Sequence, residues 1–251
     1  MNNPSIDVAQ VLIYVFWAFF AGLIYWLRKE DRREGYPLET DNPRRVGSMP
    51  DLLIPSPKTF LLPEGGSVQA PNFARDEREI SSKRTAVANG STSEPVGDPL
   101  LSNVGPASYA NRHDTPELMR DGRIQIVPMR AAAEVSVMAG ADPRGWQVIG
   151  GDSKPSGSIK DIWVDRADLL VRYLEVELTD GSGTRLVPMP MANLDSDSKR
   201  VEVYSIFASQ FGKVPTLKNA DQVSVLEEEK ISAYYAAGRL YAEPRRLGPL
   251  L

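Results

Sequence analysis

The sequence predicts one N-terminal transmembrane α-helix followed by a mainly β domain, a small, mostly antiparallel barrel or sandwich that ends in a C-terminal helix. Three observations carry this expectation. Residues Val8 to Leu27 are apolar apart from Gln10, and Arg28 to Glu34 are all charged. Short runs with β-branched and aromatic content recur at spacings of roughly ten to fifteen residues after Ile124, the texture of a compact all-β fold. Near the end, EEEKISAYYAAGRLYA is rich in helix-forming Ala and Glu.

Length decides the first element. Twenty residues at about 1.5 Å each make a helix of roughly 30 Å, the hydrocarbon thickness of a bilayer. A cleavable signal would need a basic leader, a shorter apolar core and a small-x-small cleavage site. MNNPSID carries no Lys or Arg, whereas Arg28, Lys29, Arg32 and Arg33 follow the span. Basic flanks stay cytoplasmic, so the N-terminus is expected outside and the body of the chain inside. The same four residues would meet anionic lipid headgroups at about 1 kcal/mol per charge. Ala18 and Gly22 form a small-xxx-small pair suited to close helix packing, and Tyr25 and Trp26 lie where an interfacial aromatic belt belongs.

Residues 35 to about 115 are dense in Pro, Gly, Ser and Asn. Alone, such a segment reads as linker or disorder; laid on a partner, it borrows the partner's surface in place of a core. Thr59 to Leu62 is its one strand candidate, bounded by prolines that forbid a helix. Beyond it, KDIWVD (160–165), VRYLEVEL (171–178), TRLVPM (184–189) and RVEVYSI (200–206) read as strands, and TDGSGT as a hairpin turn. Alternation in VRYLEVEL puts Leu174, Val176 and Leu178 toward the core, with Tyr173, Glu175 and Glu177 on the other face. The final helix is expected from about Leu226 to Ala237, with Gly238 as its brake.

Composition removes several function classes. The net charge of -4 argues against nucleic-acid binding, and the absence of cysteine excludes disulfides, thiolate catalysis and Cys-ligated metals. A Ser-His-Asp triad would have to use the single histidine, His113, whose neighbours Ser108 and Asp114 lie in a loop-like stretch. No phosphate loop, HExxH or GxGxxG motif occurs. The expectation is a protein with no catalytic residues and no metal site.

The run RKEDRREGYPL directly after the span, then PKTFLLPEGG, GDPL with VGPASYA, IVPMR, DPRGW, DIWVD, RYLEVEL and LEEEKISAYYAAGRLYA together resemble the H subunit of the photosynthetic reaction centre of purple bacteria. The likeness runs in order along nearly the whole chain. Its strand-rich part, from about Asp142 to Ala237, is similar to the PRC-barrel fold. The resemblance implies a single-pass subunit of the bacterial inner membrane, in three parts. Residues 1–34 would hold the periplasmic end, span and basic flank. Residues 35–115 would form an extended partner-hugging segment, and residues 116–251 a cytoplasmic PRC-type barrel with the C-terminal helix.

Such a subunit caps and stabilises the L and M subunits in an obligate complex, and shapes the proton route to the secondary quinone. Bacteriochlorophyll, bacteriopheophytin, quinones and non-haem iron belong to L and M. Membrane lipids, a light-harvesting antenna and a cytochrome subunit are further implied partners. An obligate contact of this kind is expected to exceed about 2,000 Å².

The resemblance also carries site residues. The family's proton-pathway carboxylates match Asp165 and Asp168, with an arginine matching Arg172; relatives often have Glu where this chain has Asp168. Read from the residues alone, this is a solvated turn between strands whose two carboxylates and cation can share one small surface and stagger their pKa values. In the stretch matched by MRDGRIQ, relatives present surface histidines that this chain lacks. Asp121 could accept protons there, but an ordinary Asp is a poor proton collector at neutral pH. Metal inhibition through paired histidines is therefore not expected. A membrane-tethered PRC-barrel scaffold for some other complex is the alternative, and it would need only a flexible linker where this chain has PKTFLLPEGG and VGPASYA.

Overall fold

The computed structural model describes residues 7–36, 53–63, 65–72, 78–88, 90–137 and 140–247. The leader before Asp7 and the stretch 37–52 of the expected extended segment lie outside them. The contact pattern divides the chain into two units, Met1–Glu77 and Arg78–Leu251.

In the first unit, helix α1 (Val8–Glu30) starts at Asp7, whose carboxylate accepts the Ala9 amide hydrogen at 2.9 Å. It runs three residues past the expected Leu27, adding a charged turn in which Arg28 and Lys29 complement the negative end of the helix dipole. None of its residues is buried, and its most apolar window has a mean hydropathy of 2.0. A helix apolar all round that the described residues leave uncovered suits lipid, not water. Phe16, Trp17 and Phe20 cluster with ring centroids 5.7–6.0 Å apart. Nothing lies within 4 Å of a side chain built at Gly22, so the small-residue position is open to a partner helix.

Beyond α1 the strands β1 (Lys58–Leu61) and β2 (Ser67–Ala70) pair antiparallel, Phe60 opposite Val68. The strand begins one residue before the expected Thr59. A charged clamp ties this hairpin to the end of the helix. Arg33 binds Glu30 through Nε at 2.8 Å and Nη2 at 2.9 Å, and donates Nη1 to the Ser56 and Ala70 carbonyls. Lys58 reaches the same Glu30 at 2.8 Å. Arg33, expected in the lipid-facing flank, is thus committed to the hairpin. Arg28, Lys29 and Arg32 remain as the basic flank, Arg32 lying 5.4 Å from the Tyr36 ring centre.

The second unit opens with a two-stranded ribbon, β3 (Ser82–Arg84) and β4 (Ser93–Pro95), with little buried surface. Its body is a seven-stranded sheet: β5 (Ile126–Pro128), β6 (Gln147–Gly150), β7 (Pro155–Asp165), β8 (Leu170–Leu178), β9 (Thr184–Pro188), β10 (Asn193–Asp195) and β11 (Arg200–Val203). The order is β10-β11-β6-β7-β8-β9, with β5 paired to the far half of β7. Every pairing is antiparallel except β6 with β11, which run parallel. Eleven-residue β7 is the spine: β6 lies along its first half and β5 along its last three residues, both opposite β8. TDGSGT makes the β8–β9 turn, where Asp180 Oδ1 accepts the Ser182 amide hydrogen at 2.9 Å.

Two expectations are corrected here. First, β8 is buried on both faces from Tyr173 to Val176: Tyr173 and Glu175 are as enclosed as Leu174, Val176 and Leu178, and of the three residues expected on the second face only Glu177 is exposed. The reason is a covering layer that residue alternation cannot register, formed by Arg130 and by helix α2 (Val225–Tyr241). Second, Gly238 does not stop α2, which continues to Tyr241. The glycine serves packing, because a Cβ there would come within 2.4 Å of Ile206 Cγ2 and of the Ser205 carbonyl oxygen. The helix is opened by a capping box in which Ser224 Oγ accepts from the Glu227 amide and Glu227 accepts from that of Ser224.

The end of the Pro/Gly-rich segment packs on its own domain. Leu100 and Ala107 enter the core, and the Thr115 and His113 carbonyls accept the Val225 and Leu226 amide hydrogens. Asp98 pairs with Lys213 at 2.8 Å, Arg112 with Glu229 at 3.4 Å, and Asp114 accepts from Ser224 Oγ at 2.7 Å and from Lys218. The His113 side chain is exposed.

Candidate functional site

The β7–β8 hairpin carries the acidic residues singled out in the sequence. Asp165 closes β7 and is buried. Its Oδ1 accepts the amide hydrogens of Ala167 at 2.9 Å and Asp168 at 3.2 Å, and its Oδ2 accepts Gln125 Nε2 at 2.9 Å. This is the turn-holding use of Asp, and it explains why the chain reverses here. Asp168 stands exposed at the apex, followed by Leu169, Leu170 and Val171, which are 77%, 57% and 40% exposed.

Arg172 turns away from both acids. Its Nη2 lies 3.6 Å from Glu228 Oε2 on the first turn of α2, and the Tyr173 hydroxyl donates to the same oxygen at 2.6 Å. The expected cluster of Asp165, Asp168 and Arg172 therefore forms two groupings: an aspartate built into the turn, and an Arg172–Tyr173–Glu228 set reaching the helix. Burial pushes the Glu228 carboxyl up, while Tyr173 and Arg172 pull it back. Burial also raises the Tyr173 phenol, helped by the Glu228 charge.

Sequence reasoning missed Glu228, although a signal existed. Glu228 is three residues before Ile231 and seven before Tyr235, both fully buried, so helical periodicity puts it on the inward face of α2. Nor did it find a buried acid pair in the sheet. Asp161 and Glu175 are direct cross-strand partners on β7 and β8 and are only 4% and 3% exposed. Arg130 Nη1 lies between them, 3.1 Å from Asp161 and 2.6 Å from Glu175, and Trp163 Nε1 donates to Glu175 at 3.0 Å. No pattern in the sequence joins an arginine to carboxylates more than thirty residues away.

Asp121 is exposed, and Arg123 holds it through the backbone amide at 3.0 Å and through Nε at 2.7 Å. These contacts keep its carboxyl below the ordinary aspartate range, so it collects protons less readily than a free Asp.

With this geometry in view, two family models match the chain. That of the photosynthetic reaction centre H-chain N-terminal region matches residues 3–131, and that of the PRC-barrel domain matches residues 136–208. The chain belongs to the photosynthetic reaction centre H-chain family. The H-chain match takes in α1, the clamped hairpin and Arg130; the PRC-barrel match takes in β6 to β11 and leaves β5 and α2 outside it. Membership makes this a structural, non-enzymatic, membrane-anchored subunit that associates with L and M, the subunits that carry the pigments and quinones of such a centre.

Proposed function

We propose that this H chain caps the L and M subunits on the cytoplasmic side, stabilises their assembly, and carries protons toward the secondary quinone. The observation that carries the reading is the β7–β8 apex. Three consecutive exposed apolar residues follow Asp168, an arrangement unfavourable in water and suited to a surface that a partner covers. Covering this apex would seal Asp168 into a seam where bulk water is excluded and protons must travel by side chains and ordered water.

Within that reading the four sequence-derived residues and Glu228 take different parts. Asp168 is the carrier at the apex. Glu228, whose affinity for a proton burial raises, is the inner carrier. Arg172 biases Glu228 toward the charged form, and Asp165, with both oxygens engaged, positions the turn. Asp121 is a weak entry point because Arg123 favours its charged form.

Further features support the membrane arrangement. The basic flank of α1 favours a periplasmic N-terminus, with Arg28, Lys29 and Arg32 toward anionic lipid. Ala18 and Gly22 form the face for a partner helix. The exposed β1–β2 hairpin and β3–β4 ribbon fit the partner-hugging role of residues 35–115. Bacteriochlorophyll, bacteriopheophytin, quinones and non-haem iron would all sit on L and M, with an antenna and a cytochrome subunit as outer partners.

Affinity purification through a tag on this chain tests the reading. L and M should be recovered in equal amounts with pigment, and Gly22→Ile should reduce that recovery. Isolation of the chain without L and M from pigmented membranes would contradict it.

A further inference from the structure

A cavity of about 420 Å³ opens where the last turn of α2 meets the end of β11, away from the β7–β8 apex. Arg246 and Arg239 supply its charge, Asn193, Tyr204 and Ser205 its polar wall, and Pro190 and Met191 an apolar side.

The position of Arg246 is specified in detail. Its Nη1 donates to the Ser205 carbonyl at 2.8 Å and to the Gly238 carbonyl at 2.9 Å, and its guanidinium lies 5.2 Å from the Phe207 ring centre. Gly151 makes room for it, since a Cβ there would meet Arg246 Nη2 at 2.8 Å and the Tyr204 carbonyl oxygen at 2.7 Å. The absence of a side chain at Gly238 brings α2 down to this place. A guanidinium held in this way has already given up its rotamer freedom, which lowers the cost of binding a ligand.

The charge of the cavity is incompletely balanced. Among the described residues the carboxylate paired with Arg246 is that of Glu243, 3.8 Å from Nε. Glu202 accepts from the Tyr204 hydroxyl and lies 3.5 Å from Asn193 Nδ2, so it already has two donors. Among the described residues the Arg239 side chain has neither an ion pair nor a hydrogen bond. Ser205 is 5% exposed, and its hydroxyl has no partner among the described residues. A buried hydroxyl without a partner costs free energy that an anion, or water brought in with it, would offset.

We infer that this cavity binds a small anion of the phosphate or carboxylate type, with Arg246 as the fixed cation and Arg239 as the one that closes on it. The inference does not depend on the proton role proposed above, since neither arginine takes part in it.

The test is isothermal titration of inorganic phosphate into the purified detergent-solubilised complex containing the full chain, beside phosphorus NMR of the lipid that co-purifies. Arg239 is exposed, so Arg239→Gln should leave folding intact. Saturable binding that weakens about tenfold in Arg239→Gln, as loss of a charged hydrogen-bond donor requires, and by less in Arg239→Lys, supports a free-anion site. A lipid headgroup is the same chemistry from another source. In that case phosphate does not titrate, and the Arg239→Gln complex carries less lipid phosphorus than the parent. Equal phosphate affinity in parent and Arg239→Gln, or no titration with unchanged lipid phosphorus, overturns the inference.

Discussion

Replacing Arg130 with Met probes the buried charges of the sheet most directly. Asp161 and Glu175 face each other across β7 and β8, and Arg130 Nη1 touches both at 3.1 and 2.6 Å. Met keeps most of the apolar stem and removes the cation. Lys160, 4.0 Å from Glu175 and half-exposed, then remains beside the pair. Breaking a buried ion pair by deleting one partner costs about 3–5 kcal/mol. The Arg130 side chain is 37% exposed, so water reaches part of it and about 3 kcal/mol is expected. For a unit of this size that lowers the unfolding midpoint by about 6–12 °C.

Denaturant unfolding of the full chain in detergent, followed by tryptophan emission, reads this effect. Trp163 is fully buried and donates its indole N–H to Glu175, so its emission reports on the site. The combined change Arg130→Met, Asp161→Asn and Glu175→Gln should recover most of the loss, because no uncompensated charge remains and Gln still accepts from Trp163. An Arg130→Met variant within about 0.5 kcal/mol of the parent would refute the reasoning, since that is the size of an ordinary surface change. A triple variant no better than the single would show that packing, not charge, governs the position.

Two further outcomes follow from other parts of the fold. Burial raises the Glu228 pKa above its unfolded value, so the stability linked to this group is full below that unfolded value and is lost as pH rises through the folded one; Glu228→Gln should therefore gain on the parent as pH rises above the ordinary glutamate value, checked by paired denaturant titrations from acid to neutral pH. Gly238→Ala should lower stability by about 1–3 kcal/mol through overpacking against Ile206 and Ser205, despite the better helix propensity of Ala, and a stabilised variant in thermal unfolding would contradict the packing account.

How legible each part was in the sequence depended on how local its cause is. Helix α1 could be read outright because it is apolar on every face, a property of twenty consecutive residues. Strands β7, β8 and β9 were visible from their composition, and their turns from Asp165 and TDGSGT. The burial of Tyr173 and Glu175 was not visible, because it follows from the covering layer of Arg130 and α2, which lie tens of residues away. The parallel pairing of β6 with β11 was hidden for the same reason. At the candidate site, Asp165, Asp168 and Arg172 were found as a local motif, yet the partner that Arg172 selects is Glu228, fifty-six residues later. Gly238 misled because the same residue that ends one helix permits close approach in another, and only the neighbouring Ile206 and Ser205 distinguish the two uses.

The central claim, that this subunit passes protons toward the secondary quinone through the β7–β8 apex, is tested most directly by flash-induced proton uptake and second-electron transfer in purified complexes of the parent and of Asp168→Asn. The account predicts that the second electron step and its proton uptake slow by about tenfold or more, equivalent to ~1.4 kcal/mol of barrier, while assembly and the first electron step are unchanged. Unaltered second-step kinetics in Asp168→Asn would contradict it and leave the apex a docking surface alone.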